Sequence, residues 1–329
     1  MSASSPNRTS AEPPSSPNTD PPDTASPRTI SQLLEATRRH GLELATSQSD
    51  FDRTGLDFLV VHATDEHGAR WIVRTPRRPE LLEAVRIEAR VLALVASRLP
   101  VAVPMWRLVD DDVIAYPRVA GTPAVTVDPT GGPTWNVIDP ASVPDAFLDS
   151  YAAMLSALQS VDADEAAAAG VPVRPIAETR AALGRAMEAT REALAPSEAV
   201  WRRWQTWLAD DGLWPQHVAL VHGDLHPGHM LLDDGARLVG VLDWTEAQLT
   251  DPSVDLAMFF GCFGRAALDA LVRRFERAGG RVWPRLAEHA AERWAAFPAL
   301  AAEWALRTGN DGALEHARGH LASTAGLDA

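Results

Sequence analysis

The run Val218-Ala219-Leu220-Val221-His222-Gly223-Asp224-Leu225-His226-Pro227-Gly228-His229-Met230-Leu231-Leu232 decides how this chain is read. Apolar residues enter it and leave it, which marks two short strands around a polar loop. A second carboxylate follows nineteen residues after Asp224, in Val239-Gly240-Val241-Leu242-Asp243-Trp244. Between them Asp233-Asp234-Gly235 has the composition of a turn. The two apolar strands thus present Asp224 and Asp243 near their ends, and a hairpin-like return places both carboxylates on one side. Two acids beside a loop suit a divalent cation and a phosphate. One acid orients a hydroxyl while the other holds the ion.

Around this cassette the composition excludes several chemistries. The chain has 329 residues, and all 30 of its basic Lys-plus-Arg positions are Arg. Without lysine there is no Schiff-base nucleophile and no G-x-x-x-x-G-K-[ST] phosphate loop. Any long cationic side chain on a phosphate must be Arg. Apolar residues make up 46% and charged residues 22%, enough for a full core. The net charge of −14 argues against nucleic acid or an anionic membrane as a partner. The single Cys262 forms no intrachain disulfide and no Cys-based metal site. No apolar run has the length of a transmembrane helix, and the N-terminus lacks the apolar core of a signal peptide. The expectation is a cytoplasmic protein, and nothing demands more than a monomer.

Residues 1–28 hold seven Pro and seven Ser with almost no large apolar side chain, so a disordered tail is expected there. From about 41 to 118 the pattern is strand-rich with one long helix. Asp57–Ala63 and Ala69–Thr75 flank a polar, Gly-ended loop and read as an antiparallel hairpin. Pro79–Arg98 reads as a helix entered through Pro. Trp106–Val109 and Val113–Arg118 read as another strand pair, joined by Asp110-Asp111-Asp112. Later residues are mostly helical, with helices expected at 144–160, 176–194, 197–210, 264–278, 284–308 and 311–322. The cassette of 218–257 interrupts them. Strands segregated from helices indicate an α+β fold.

The motifs resemble the aminoglycoside phosphotransferase superfamily, small-molecule relatives of protein kinases. The resemblance rests on His222-Gly223-Asp224, on Leu242-Asp243-Trp244 and on Asp251-Pro252-Ser253-Val254-Asp255-Leu256-Ala257, in order and at the expected spacing. It narrows to the macrolide 2'-phosphotransferase branch through Gly55-Leu56-Asp57-Phe58, Trp71–Arg78, the string H-G-D-L-H-P-G-H at 222–229, and Asp243-Trp244-Thr245-Glu246-Ala247. It covers about residue 30 to the C-terminus. It implies a two-lobed, protein-kinase-like fold. Residues 29–118 would form a small β-rich nucleotide-binding lobe and 119–329 a larger helical lobe, with a hinge at about 116–121. It also implies GTP or ATP as phosphate donor, Mg²⁺ as the ion, and a macrolide as acceptor.

Under this resemblance Asp224 orients the attacking hydroxyl and Asp243 binds Mg²⁺ through oxygen. His229 stands where the superfamily usually has Asn. It is expected within the metal shell, directly or through water, with a hydrogen bond to phosphate alone as the alternative. His222 and Asp255 are expected to be structural. A metallohydrolase reading of His222, Asp224 and His226 uses these residues less well, because the kinase-like loop needs its histidines as scaffolding. Arg74 ends the strand W-I-V-R where kinases carry a strand-three Lys. Leu81, Val85, Leu92 and Val95 form one helical stripe with Glu88 in its middle, and a carboxylate on a buried face needs a cation. Arg74 with Glu88 is the natural pair. Ser49 and Thr54 are candidates to offer hydroxyls to the phosphates, in a loop that has Gly55 but no G-x-G-x-x-G. Tyr116, Pro117 and Val119 belong to the hinge, where backbone groups would read the purine. A macrolide is broad, apolar and cationic at its dimethylamino sugar. Trp244, Phe259, Phe260 and Trp283, with Trp294 and Trp304 behind them, are candidate walls, and Glu246 is the candidate partner of the ammonium. An aminoglycoside or another small molecule as acceptor, and a catalytically weak binding module, are the rival readings.

Overall fold

Strands β2 (Phe58–Thr64) and β3 (Arg70–Pro76) pair one to one from Phe58↔Pro76 to Thr64↔Arg70. Asp65 closes their turn: its Oδ1 accepts the N–H groups of His67 and Ala69, each at 2.9 Å. Its Oδ2 accepts the Trp71 indole N–H at 3.0 Å. The hairpin belongs to a five-stranded antiparallel sheet in the order β1-β2-β3-β5-β4. The other strands are β1 (Ala45–Asp52), β4 (Leu108–Val109) and β5 (Ile114–Pro117). The computed structural model describes residues 29–52, 57–127 and 132–324. The expected tail at 1–28, Thr54 and Gly55 lie outside the described residues.

Strand alternation divides this sheet into two faces. Val61, Val73 and Ala115 pack against Leu33 and Leu34 of helix α1 (Ile30–Arg39). That helix was not expected from the sequence, although Thr29 and Gln32 form a reciprocal capping box at its start. Phe58, Ile72, Ile114 and Tyr116 face the other way and meet Val85. Val85 lies on α2 (Leu82–Val95), entered through a 3₁₀ turn at Pro79–Leu81. Val85, Glu88, Leu92 and Val95 are all buried, so the stripe places Glu88 inside the molecule.

The segment after β5 is stitched to the cassette. β6 (Thr122–Pro123) pairs with β10 (Met230–Leu232), which pairs with β11 (Leu238–Val241). Gly121 (φ 125°) makes this possible, since a Cβ there would lie 2.8 Å from Leu231 Cβ. A small hairpin, β7 (Val125–Val127) with β8 (Pro133–Trp135), precedes α3 (Asp145–Gln159), α4 (Ala163–Ala168), α5 (Ile176–Leu194) and α6 (Glu198–Ala209). β9 (Ala219–Val221) leads to Asp224 and pairs with β12 (Gln248–Thr250), not with the strand leading to Asp243. The hairpin of β10 and β11 sits between the two acids in sequence.

α7 (Val254–Arg277) starts ten residues before the expected helix and bends at Gly264 (φ 74°, ψ −177°). The bend hides its continuity from a period count. The expected helix at 284–308 is two, α8 (Leu286–Ala295) and α9 (Phe297–Thr308), because Pro298 opens the second at its first turn. α10 (Asp311–Thr324) follows. α3 and α7 share an aromatic core of Phe147, Tyr151, Phe259 and Phe263. A second core of Leu183, Met187, Trp204, Trp207, Ala299 and Leu321 joins α5, α6, α9 and α10. Among the described residues no helix is long and apolar enough to cross a membrane.

Candidate active site

The loop after β9 is held from below by one buried carboxylate. Asp255, in the first turn of α7, accepts the His222 N–H at 2.9 Å and the Gly223 N–H at 3.0 Å. Burial pushes its carboxyl up to about 6 against the pull of these two donors. Gly223 adopts φ 91°, and a Cβ there would lie 2.3 Å from the Glu246 carbonyl oxygen. His222 clamps the loop from the side. Its Nε2 lies 2.9 Å from the Leu242 carbonyl and its Nδ1 accepts the Asp224 N–H at 3.3 Å. A carbonyl only accepts, so the ring proton sits on Nε2. Burial pushes this imidazole down to about 3, so it stays neutral. One uncharged ring therefore ties Asp224's backbone to the residue before Asp243.

The side chains above this scaffold converge. Asp224 and Asp243 are partly exposed, at 42% and 39%, and His229 stands between them. His229 Nδ1 donates to the Asp224 carbonyl at 3.0 Å, and its Nε2 lies 3.7 Å from Asp243 Oδ2. Its Nδ1 is 3.7 Å from Asp224 Oδ2. The His226 ring packs against His229 with 3.9 Å between centroids and a tilt of 38°. Asp224, His226 and His229 each offer a ligand atom, all within 4.8 Å of one another. Asp243 adopts φ 58°, which is strained for a residue with a Cβ. The Thr245 hydroxyl fixes it by donating to Oδ1 at 2.7 Å. Burial pushes the Asp243 carboxyl up, but His229, Thr245 and Arg74 together hold it below its ordinary range.

Across from these acids, Arg74 Nη2 donates to Glu88 Oε2 at 2.5 Å, with side chains only 7% and 0% exposed. The Arg74–Glu88 pair is thus formed. Burial pushes Glu88 up against the attraction of Arg74. The guanidinium carbon lies 4.4 Å from the Phe58 ring centre, 4.8 Å from Trp106 and 5.8 Å from Tyr116, within the range of a cation over an aromatic face. Among the described residues Arg74 Nε is buried without a partner. The other oxygen of Glu88 faces the Trp244 N–H at 3.4 Å, linking α2 to the residue after Asp243.

The expected aromatic walls fare less well. Trp244 is fully buried, 4.7 Å from the His222 ring, with its indole N–H on the Val241 carbonyl. Phe259 is buried among Phe147, Tyr151 and Phe263. Both are core, not cleft wall: large apolar rings fill whichever interior is nearest. Phe260 is half-buried against the core. Trp283 is half-buried and donates to the Leu213 carbonyl at 2.9 Å. Trp294 stacks on Phe297, and Trp304 is 37% exposed. Glu246 opens to solvent beside the acids, and the chain crowding it, then Asp224, Asp243 and Asp57, push its carboxyl up. Tyr116 is buried, Pro117 pairs with Trp71, and Val119 covers Gly240. Ser49 lies in β1.

One network escaped the sequence reading. Asp251 is fully buried and accepts from His289 Nε2 at 2.8 Å, Arg293 at 3.0 Å and the Ser253 N–H at 2.9 Å. His289 Nδ1 accepts the Trp207 indole N–H at 3.0 Å. Burial opposes ionisation of Asp251, yet Arg293 and His289 hold its carboxyl well below the usual range. The acid was visible in the D-P-x-x-D string, but its partners lie about forty residues on and carry no local signal.

The sequence profile of the phosphotransferase enzyme family (APH) matches residues 51–289, well over half the chain. The chain belongs to this family. It is a phosphotransferase acting on a hydroxyl. Two solved structures are similar over nearly their whole length. The macrolide 2'-phosphotransferase MphH from Brachybacterium faecium, as apoenzyme, shares 38% identity, with 89% of this chain and 97% of that chain covered and a TM-score of 0.81. Macrolide 2'-phosphotransferase type I shares 37% identity over 90% and 99% of the two chains, also with a TM-score of 0.81. The uncharacterized protein YcbJ of Bacillus subtilis (strain 168) is 36% identical over 280 residues, covering 85% of this phosphotransferase and 91% of YcbJ. Solved structures of the same fold include the GDP complex of wild-type aminoglycoside 2'-phosphotransferase-IIIa, at 17% identity and a TM-score of 0.72.

Proposed function

We propose that this phosphotransferase moves the γ-phosphoryl group of GTP or ATP onto the 2'-hydroxyl of a macrolide amino sugar. The observation that carries the reading is the 37–38% identity with two macrolide 2'-phosphotransferases across 97–99% of their chains. The lobes would divide near residue 118, with the purine read by backbone groups of Tyr116, Pro117 and Val119. Ser49 and Thr54 would cover the phosphates.

In this reading Asp224 accepts a hydrogen bond from the 2'-hydroxyl and aims its oxygen at the γ-phosphorus. The new O–P bond forms as the bond from γ-phosphorus to the β,γ-bridging oxygen breaks, and the hydroxyl proton passes to Asp224 and then to water. Positioning does most of the work in such a transfer. Arg74, held by Glu88, presents its remaining donors to phosphate oxygens. The Asp243 carboxylate would supply the hard oxygen Mg²⁺ prefers, and His229 would complete the metal shell, directly or through water. Bound there, Mg²⁺ would neutralise charge on the phosphate oxygens. Glu246 would meet the dimethylammonium, and Phe260 and Trp283 remain candidate walls for the ring. Phosphorylation adds bulk and negative charge to the drug, which supports a role in macrolide resistance.

Turnover of GTP and ATP with erythromycin and with kanamycin tests this, with Asp224→Ala as control. Erythromycin phosphorylation that is lost in Asp224→Ala and abolished by EDTA, then restored by Mg²⁺, is expected. Phosphorylation of kanamycin alone would sink the macrolide reading. Tight antibiotic binding without turnover would favour a binding module.

A further inference from the structure

The string His226-Pro227-Gly228-His229 places two histidines three residues apart, and the structure gives them opposite tautomers. His229 Nδ1 donates to the Asp224 carbonyl, so its proton is engaged by backbone and its Nε2 is bare toward Asp243. His226 is the reverse. Its Nδ1 accepts the Gly228 N–H at 3.0 Å. A nitrogen that accepts carries no hydrogen, so the single proton of this ring lies on Nε2. That nitrogen is 3.8 Å from Asp224 Oδ2.

The ring is placed there by its neighbours. A Cβ on Gly228 would lie 2.7 Å from His226 Cε1 and 3.0 Å from Nδ1, so only glycine leaves room for it. Pro227 opens the 3₁₀ turn that brings the Gly228 N–H under the ring. The His229 ring packs against it at a tilt of 38°. Three residues thus fix the ring whose Nε2–H lies beside one carboxylate oxygen.

We propose that His226 is a positioning residue for Asp224, donating its Nε2–H to one carboxylate oxygen and leaving the other for the substrate hydroxyl. The inference rests on the reading of Asp224 as the acid that orients that hydroxyl. The separation of 3.8 Å is longer than a hydrogen bond. Catalytic hydrogen bonds outside the reactive complex are commonly long and tighten within it. Rotation of the partly exposed Asp224 side chain closes the gap. Anchored in this way, the carboxylate holds one orientation among the several that an exposed aspartate samples.

The test uses two isosteric replacements in the full chain. His226→Asn keeps an acceptor for the Gly228 N–H but has nothing at the Nε2 position. His226→Gln reaches that position with an N–H donor. Steady-state kinetics with erythromycin and GTP, thermal melts, and Asp224→Ala are run together. We expect His226→Asn to lower kcat by roughly 10- to 100-fold, with both KM values within about threefold and an unchanged melting temperature, the pattern of an interaction made in the transition state. His226→Gln should recover most of that loss. A wild-type kcat in His226→Asn, equal losses in the two variants, or losses that follow a lowered melting temperature would each overturn the proposal. If Asp224→Ala is inactive while His226→Asn is normal, only the role of His226 fails. If Asp224→Ala still turns over, the reading of Asp224 fails first.

Discussion

Two buried ion networks serve opposite ends of the candidate site, and they differ in what they leave unpaired. In the helical lobe Asp251 engages His289, Arg293 and the Ser253 N–H, while His289 in turn engages Trp207. The Asp251 carboxylate and both His289 ring nitrogens are engaged there, and only the neutral Ser253 Oγ beside them is buried without a partner among the described residues. In the sheet lobe Arg74 pairs with Glu88 but keeps a buried Nε without an acceptor among the described residues, beside three aromatic rings. A buried donor left open carries a cost that a purely structural pair would avoid. The closed network reads as scaffold, and the open one reads as a site.

The largest effect should come from breaking the closed network. Asp251→Ala leaves a buried histidine and arginine without their carboxylate, and unfolding free energy should fall by about 3–5 kcal/mol in a urea melt. A loss under about 1 kcal/mol would mean that the network is not scaffold. Asp255 sharpens the same point through pH. Its carboxyl stands at about 6 in the folded chain, above its unfolded value of roughly 3.9. The folded state therefore binds this proton more tightly. Stability from this group declines as pH rises from about 4 to about 6 and is flat above, a change of about 3 kcal/mol. Asp251 has the opposite sign: its contribution is full above about pH 4 and drains away below. Melts across about pH 4–6 should show the Asp255 slope in the parent chain and not in Asp255→Asn; equal slopes would contradict the assignment.

The open network should respond in rate more than in stability. Arg74→Lys keeps a charge for Glu88 but loses the fork of donors and the flat face against Phe58 and Trp106. We expect kcat/KM for the nucleotide to fall about 10- to 100-fold, or about 1.4–2.7 kcal/mol, with a small shift in melting temperature. An unchanged rate would show that the spare donor serves no ligand. At the bottom of the scale, Arg98 and Glu165 meet at 2.6 Å but are 38% and 50% exposed. Arg98→Ala should cost no more than about 0.5 kcal/mol, and a larger loss would undo the distinction drawn from burial.

What the sequence disclosed follows the same division. Glu88 was legible because a helix period carries a buried face in a few residues, so an acid on that stripe stands out. The hairpin at 57–75 was legible because its turn chemistry is local. The cassette was legible as a motif, but not its pairing: β9 joins β12, across the intervening β10–β11 hairpin. Trp244 and Phe259 were misplaced because aromatic content does not distinguish an interior from a pocket. His289 and Arg293 were silent because their partner is distant in the chain. α1 is announced in the sequence only by its cap, Thr29 with Gln32.

Arg74 also governs how this enzyme can be seen by chemical labelling. Acylating reagents that brand kinases by modifying the strand-three lysine find no side-chain amine anywhere in these 329 residues. Amine-directed crosslinkers reach at most the chain's N-terminus, and a lysine-cutting protease leaves the chain whole. A survey of nucleotide-using enzymes based on amine acylation would pass over this one, whereas a dicarbonyl reagent aimed at guanidinium groups would register it.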